Sequence, residues 1–390
     1  MVGNCAFGDA QFVGNHLKGG FVVAVFFEEF FGASKNFRFE VAGGWFFLCV
    51  VHENSITDGL VGCQLYTKCG LDRIFWVNLH KFGKITIQIY SCIVKCFHVA
   101  LDMSQITRRN LFMLRILTDT SAGFTYEDVK KIGVEMVSLS ITFEDGEYLD
   151  GKNLSTDEFY AKQKVSKTLP KTAAVNQEAF EEVFRDVKAK GDEMIVLTIS
   201  KELSLTHDQA MKAKKAVGYD KIYIIDTLSA ATPIIALLME AVKMRDAKMS
   251  TDKIVAEISA LVPKARLFAY VDTLKYLKAG GRISGMKAFM GTILGVKPIL
   301  TLVDGKIASN SKAMGLKKAQ EAILEQLKTH DVDFSRPVYF AHTNAHEECE
   351  KIKARARERH EFKDGGTWYI SATVAVHAGP GASAVAFFVK

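Results

Sequence analysis

The chain has 390 residues and a net charge of +6, room for two or three domains because single cores stop growing near ~250–300 residues. Its mild charge does not indicate nucleic acid, whose binders concentrate basic residues on one face; the basic run Lys351 to Arg359 carries glutamates and reads as a solvated helix. No stretch reaches the ~18 uninterrupted apolar residues of a membrane span, and Met1 to Asn15 has no Lys or Arg to start a secretory signal.

Composition breaks at Met113. Residues 1–112 hold six of the seven cysteines, 15 of the 27 phenylalanines, none of the six prolines and only 18 charged residues, against 76 charged residues in the other 278. This segment is expected to be an extension foreign to the rest, from a misplaced start or a disordered stretch. The rival is a cysteine-rich domain with Cys63, Cys69, Cys92, Cys96 and His98 as metal ligands, but the spacings do not form the two knuckle-like pairs of a zinc ribbon. The lone later cysteine, Cys349, fits a reducing cytoplasm.

From Met113 onward, strand-like runs alternate with helical periodicity. Leu114 to Leu117, Val134 to Phe143, Met194 to Ile199 and Lys221 to Ile225 are apolar on both faces, the pattern of a covered parallel sheet. Ser155 to Glu158 is a capping box, and Asn176 is placed to cap a helix presenting Phe180, Val183, Phe184 and Val187 that ends near Gly191. Ile234 to Met239 is apolar all round, reading either as a buried core helix or as the lining of an acyl tunnel. Ser250 is expected to cap a helix with Ile254, Ile258 and Leu261 on one face.

After Lys264 the pattern changes. Arg266 to Asp272 reads as a strand, and Asp304-Gly305 between Ile299 to Val303 and Lys306 to Ser309 is a type I′ hairpin signal. A helix with Leu316, Ile323, Leu324 and Leu327, a strand at Pro337 to Ala341, the charged helix and strands near Trp368 to Ile370 and Val385 to Val389 complete the chain. The expected architecture is α/β in two domains: a parallel-sheet domain over 113–264, then a mixed, more antiparallel domain over 265–390.

Four hydroxyl- and glycine-rich segments stand where strand-like runs end: Leu169-Pro-Lys-Thr172, Ile199 to Thr206, Ala279-Gly-Gly-Arg-Ile-Ser-Gly285 and His377-Ala-Gly-Pro-Gly-Ala382. Strand ends and helix N-termini suit an anionic head group. Thr172 and Ser204 read equally as turn or helix caps, Arg282 as a bidentate partner for a carboxylate or phosphate or as an exposed turn residue, and His377 as a donor or as a structural residue. Asp119 reads as an N-cap, with no metal-ligand spacing around it. No G-x-S-x-G elbow, P-loop or magnesium-ligand set appears, and Gly379, Gly381 and Ala384 precede a strand-like run rather than a helix, so no dinucleotide fingerprint is present. A stand-alone hydrolase or phosphotransferase acting on a small lipid or anionic substrate is the alternative class.

In this order, and with Ile116-Leu-Thr-Asp-Thr-Ser121, Tyr148-Leu-Asp-Gly151, Glu158-Phe-Tyr160, Val271 to Leu277 and Val296-Lys-Pro-Ile-Leu-Thr301, these segments resemble the DegV family of bacterial fatty-acid-binding proteins from about Met113 to Lys390. The resemblance implies a cytoplasmic, lipid-binding subunit with no catalytic motif and no cofactor of its own. Such a subunit holds a long-chain fatty acid and presents its carboxylate to a separate ATP-binding fatty acid kinase, yielding acyl phosphate for phospholipid synthesis. It further implies that Thr172, Ser204 and His377 hold the carboxylate, with Arg282 serving the head group or its presentation to the kinase. The chain departs from the family pattern at Leu205, where Leu-Ser-Gly-Thr has glycine, at Thr120, which keeps a hydroxyl where the family has serine, at Ala378, and at Ser229-Ala-Ala-Thr-Pro, which lacks a glycine-rich continuation.

Overall fold

The computed structural model describes residues 113–283 and 295–390 in full, and among residues 1–112 only the backbone of six short strands. These are β1 (Ala6–Phe7), β2 (Ala10–Gly14), β3 (Ala24–Phe26), β4 (Leu48–Val51), β5 (Leu60–Thr67) and β6 (Gly70–Asn78), which pair as two antiparallel three-stranded sheets. The side chains of Cys63, Cys69, Cys92, Cys96 and His98, the character of the 1–112 extension, and residues 284–294, which include Ser284 and Gly285 of the third hydroxyl- and glycine-rich segment, lie outside the described residues.

The first core forms around β7 (Leu114–Asp119), β8 (Glu135–Val137), β12 (Glu193–Thr198) and β13 (Ile222–Asp226), an all-parallel sheet in the order β13-β12-β7-β8. Its strands are apolar on both faces because both are covered. Phe180, Phe184 and Val187 of α3 (Gln177–Lys190) and Ala210 and Ala213 of α4 (Thr206–Val217) pack on Leu117, Met194 and Val196. On the opposite face, α5 (Thr232–Asp246) and α6 (Thr251–Leu261) pack on Ile116, Ile195 and Leu197. Asn176 accepts the Ala179 N–H at 2.9 Å and Gly191 ends α3 at φ 70°, as the sequence predicts. The Ser155 capping box is likewise present, on α2 (Thr156–Val165), which follows α1 (Tyr126–Lys131). Ser250 departs from expectation: it holds the N-cap position of α6 in extended backbone, but its hydroxyl makes no capping bond.

Val134 to Phe143 is not one strand. Leu139 N–H turns to Thr120 Oγ1 at 3.1 Å and Ser138 Oγ donates to the Asp150 carbonyl at 2.8 Å, so the chain leaves the parallel sheet after β8. It continues as β9 (Ser140–Phe143) in an antiparallel sheet between β10 (Gly146–Leu149) and β11 (Lys171–Ala173), where Tyr148 and Thr172 both face Ile141 across the ladders.

The second sheet has six strands in the order β16-β15-β14-β19-β17-β18, mixed in sense: β14 (Ala265–Tyr270), β15 (Val296–Val303), β16 (Lys306–Met314), β17 (Val338–His342), β18 (Asp364–Tyr369) and β19 (Ser383–Phe388), with only β17 and β18 parallel. Residues alternate between its faces. Val385 and Phe387 join the core under α8 (Leu316–Leu324), α9 (Gln326–Thr329) and α10 (His346–Arg359), while Ala386 and Phe388 join the core containing α5. Helix α5 is therefore apolar all round because it lies between the two sheets; Ile234, Ile235, Leu237 and Leu238 are fully buried. At ~1.5–3 kcal/mol for each fully buried large aliphatic side chain, this helix is a main contributor to joining the two layers. The β15–β16 turn is the predicted hairpin, with Asp304 at φ 48° and Gly305 at φ 77°, and the Gly305 carbonyl accepts from Ser200 Oγ at 2.8 Å. Among the described residues, no helix is long and apolar enough to cross a membrane.

Candidate functional site

Thr172 stands at the centre of β11, and His377 lies near the end of the short helix α11 (Ala372–Ala378). The fold brings them together: Thr172 Oγ1 lies 2.9 Å from His377 Nε2. Burial pushes the His377 imidazole down to about 4, and the nearby Arg282 charge acts in the same direction, so the ring is neutral near pH 7. Its Nδ1 is buried with no hydrogen-bond partner. An orphaned buried donor is the rarer and costlier defect, which favours the tautomer with the proton on Nε2, donated to Thr172. The Thr172 hydroxyl proton is then free for an acceptor such as a carboxylate.

Two glycines allow this packing. Gly280, at the end of α7 (Lys275–Ala279), has an ordinary φ of −80°, but a Cβ built on it would lie 2.0 Å from His377 Nδ1 and 2.5 Å from Cε1. Only a residue without a side chain fits there. Gly379 ends α11 at φ 74°, where a Cβ would meet the Tyr276 ring at 2.2 Å.

Arg282 follows directly. Its Nη1 donates to the Gly280 carbonyl at 2.6 Å and its Nε to the Leu203 carbonyl at 3.1 Å, so the guanidinium ties the glycine turn to the segment carrying Ser204. The Ser204 hydroxyl does not turn toward Thr172 or His377. It lies 2.9 Å from Thr206 Oγ1 and accepts the Thr206 N–H at 3.3 Å, at the start of α4. Ser204, Leu205, Arg282, Lys201 and Lys306 border an open cavity of about 290 Å³. Leu205 adopts φ −72°, ψ 0°, a backbone that needs no glycine, and its side chain is 62% exposed at the rim. The four residues thus form one contact series, from Thr172 through His377, Gly280, Arg282 and Leu203 to Ser204.

Asp119 caps, as its sequence context predicts: it accepts the N–H groups of Ser121 at 2.9 Å and Ile199 at 2.8 Å, together with the Ser121 hydroxyl. Burial raises its carboxyl above the ordinary range. At Ser229 to Pro233 the chain turns with Leu228 at φ 48° and Ala231 at φ 57°, a strained substitute for glycine. Sequence reasoning missed Thr343, whose hydroxyl donates to the Gly379 carbonyl at 2.6 Å and accepts the Ala382 N–H at 2.8 Å, holding the glycine loop after His377. A threonine following a strand carries no sequence signal for that role. Among the described residues, no group of three or more His, Cys, Asp or Glu is placed to hold a metal ion.

Comparison with known proteins identifies the family. A DegV domain-containing protein of Caldanaerobacter subterraneus is 30% identical over 275 residues, covering 70% of this chain and 98% of the relative. Among solved structures, a stearic acid-binding protein from Eubacterium ventriosum matches with a TM-score of 0.66 at 26% identity, over 71% of this chain and 99% of that one. A Thermus thermophilus DegV family protein, whose structure is described as one of fatty acid binding, matches with a TM-score of 0.66 at 25% identity, over 71% of this chain and 100% of that one. The family model described as "Uncharacterised protein, DegV family" matches residues 113–390. With this match over 278 residues (113–390) and a relative at 30% identity, the chain is a member of the DegV family.

Proposed function

We propose that residues 113–390 bind a long-chain fatty acid in the cytoplasm and present its carboxylate to a separate ATP-dependent kinase, which makes the acyl phosphate used in phospholipid synthesis. The observation that carries the reading is the Thr172–His377 pair at 2.9 Å, with a neutral imidazole that leaves the Thr172 hydroxyl proton free for an anion. The fatty acids named for the Eubacterium and Thermus relatives support it. Burial of the acyl chain contributes about 0.8 kcal/mol per methylene, most of the affinity, while the polar groups fix the head. Thr172, Ser204 and His377 are assigned to the carboxylate. Arg282, beside an open cavity, is assigned to stabilising charge as ATP approaches. The protein itself supplies binding and orientation rather than a catalytic group, and the junction between its two α/β domains is placed at Lys264.

The test is extraction and mass spectrometry of lipid from the purified chain, followed by titration of the delipidated protein with palmitate. Thr172→Ala with Ser204→Ala is expected to weaken binding by roughly 1.5–3 kcal/mol for each charge-assisted bond lost. The Thr206 contact that Ser204 makes adds a stability loss of about 0.5–1 kcal/mol, seen in the melting temperature. No co-purifying fatty acid together with an unchanged palmitate affinity would refute the assignment.

A further inference from the structure

Asp150 lies outside the set assigned to the carboxylate, yet it is 3% exposed and, among the described residues, makes no ion pair. Its backbone is fixed: its N–H donates to the Leu139 carbonyl at 3.0 Å, and its carbonyl accepts from Ser138 Oγ at 2.8 Å. The carboxylate accepts the Thr373 N–H at 2.9 Å and the Thr373 hydroxyl at 2.6 Å. Thr373 is in the first turn of α11, and His377 stands four residues later, on the same helix face. Thr172 lies in β11 and Asp150 directly follows β10, and β10 and β11 flank β9 in one small sheet. Helix α11 is therefore tied at both ends to this sheet and the residue that follows its edge strand, by Asp150 to Thr373 and by Thr172 to His377.

Ser371 and Ala372, at the same end of α11, also hydrogen-bond the Asp150 carboxylate, and the remaining contacts are apolar: Ala372, Ala375 and Val376 pack with Ile141 and Phe143 of the sheet and with Phe159 of α2. Such contacts are non-directional and tolerate sliding along the helix axis. The hydrogen bonds to Thr373 do not. We propose that Asp150 is a positioning residue of the head-group site, fixing the docking of α11 so that His377 Nε2 arrives at Thr172 Oγ1. The proposal rests on the fatty-acid reading only where affinity is measured; the placement of the imidazole is testable without ligand.

The test uses the full chain carrying Asp150→Ala, Asp150→Asn or Thr373→Val, with isotope-labelled histidine and the His377 resonance assigned from a His377→Gln spectrum. In ligand-free Asp150→Ala the His377 titration is expected to move up toward the ordinary value of about 6.5 as the ring loses its buried seat. Palmitate affinity is expected to fall about tenfold, one lost charge-assisted bond. Asp150→Asn, which keeps the shape and one acceptor oxygen, restores most of both. Adding Asp150→Ala to His377→Ala produces no further loss, because Asp150 acts through His377. Should Asp150→Ala not fold, Asp150→Asn and Thr373→Val each carry a smaller upward shift of the same titration. A His377 titration unmoved in the folded variants, or affinity losses from Asp150→Ala and His377→Ala that add in full, overturns the proposal. If the parent chain binds no palmitate, the fatty-acid reading fails while the titration still decides the role of Asp150.

Discussion

The two halves of the site are built differently. On one side, Thr172 and His377 meet across 205 residues of sequence, brought together by a small sheet, a short helix and a glycine lying against the imidazole. On the other, Arg282 and Ser204 use their polar groups on nearby backbone and neighbouring hydroxyls, and they border an open cavity. The first arrangement fixes a geometry. The second leaves an accessible polar rim beside it, the side on which the proposed kinase would approach.

The sharpest way to break this contrast is at the adjacent glycines 280 and 281, which are required for different reasons. Gly280→Val drives a side chain into His377, with the first added carbon already 2.0 Å from Nδ1, and overpacking of this kind costs about 1–3 kcal/mol. The melting temperature is expected to fall by several degrees and palmitate binding to be lost as the imidazole is displaced. Gly281 has φ +72° and nothing within 4 Å of a built Cβ, so Gly281→Ala carries only the backbone cost of about 1 kcal/mol, with binding retained. Equal binding losses in both variants would mean that the contact with His377 is not what positions the head group.

Much of the frame was legible in the sequence. Strands apolar on both faces announced the covered parallel sheet, Asn176 and Gly191 bounded α3, and Asp304-Gly305 marked its hairpin, because each of these signals is local. The division of Val134 to Phe143 between two sheets was not legible, since a strand that changes sheets keeps the same apolar pattern while Leu139 and Ser138 turn their bonds elsewhere. The need for a glycine at 280 was hidden for a related reason. Its backbone is ordinary, and the residue that excludes a side chain is His377, distant in sequence. The resemblance supplied Thr172, Ser204, Arg282 and His377 as a set; their division into an enclosed pair and an open rim is a property of the fold.

Arg282→Ala sharpens the contrast from the open side. It removes the tie to the Gly280 and Leu203 carbonyls without touching the Thr172–His377 bond. Palmitate affinity is expected to stay within about threefold, while acyl-phosphate formation with the kinase falls by roughly 10²-fold or more, the scale of losing one charge-stabilising group in a transition state. Affinity and single-turnover product measured on one preparation decide between the roles. Parallel losses in both would make Arg282 the carboxylate counter-ion instead.

Acid should act more weakly, and on the enclosed side. The His377 imidazole is lowered to about 4 by burial and by Arg282, below its unfolded value of about 6.5. The native state therefore binds fewer protons than the unfolded chain in this range, and the contribution is fully present above pH 6.5 and lost as pH falls toward 4. His342, also lowered to about 4 by burial and by His346, adds in the same sense. Asp150 runs the other way: burial raises it to about 6, so its contribution is present at low pH and lost as pH rises through 6. Comparing melting temperature against pH for the parent and for His377→Gln isolates one group, and the variant's curve is expected to fall less steeply between pH 6.5 and 4.5. Superimposable slopes would mean that the imidazole is not held neutral by its surroundings.

The smallest effect is expected at Leu205→Gly, which restores the glycine of the family pattern. Leu205 already has φ −72° and ψ 0° and holds the N-cap position of α4 with no side-chain bond, a position where glycine is tolerated better than leucine. Its side chain stands 62% exposed on the cavity rim rather than in a core. Stability should therefore change by no more than a few tenths of a kcal/mol, and palmitate affinity by less than about twofold because Thr172 and His377 are not moved and Ser204 keeps its contacts to Thr206. If Leu205→Gly instead tightened palmitate binding tenfold, the leucine would be obstructing the approach of the head group to Ser204, and the rim would govern affinity as fully as the enclosed pair. A gain confined to acyl-phosphate formation would keep the two halves distinct, with Leu205 hindering only the approach of the kinase.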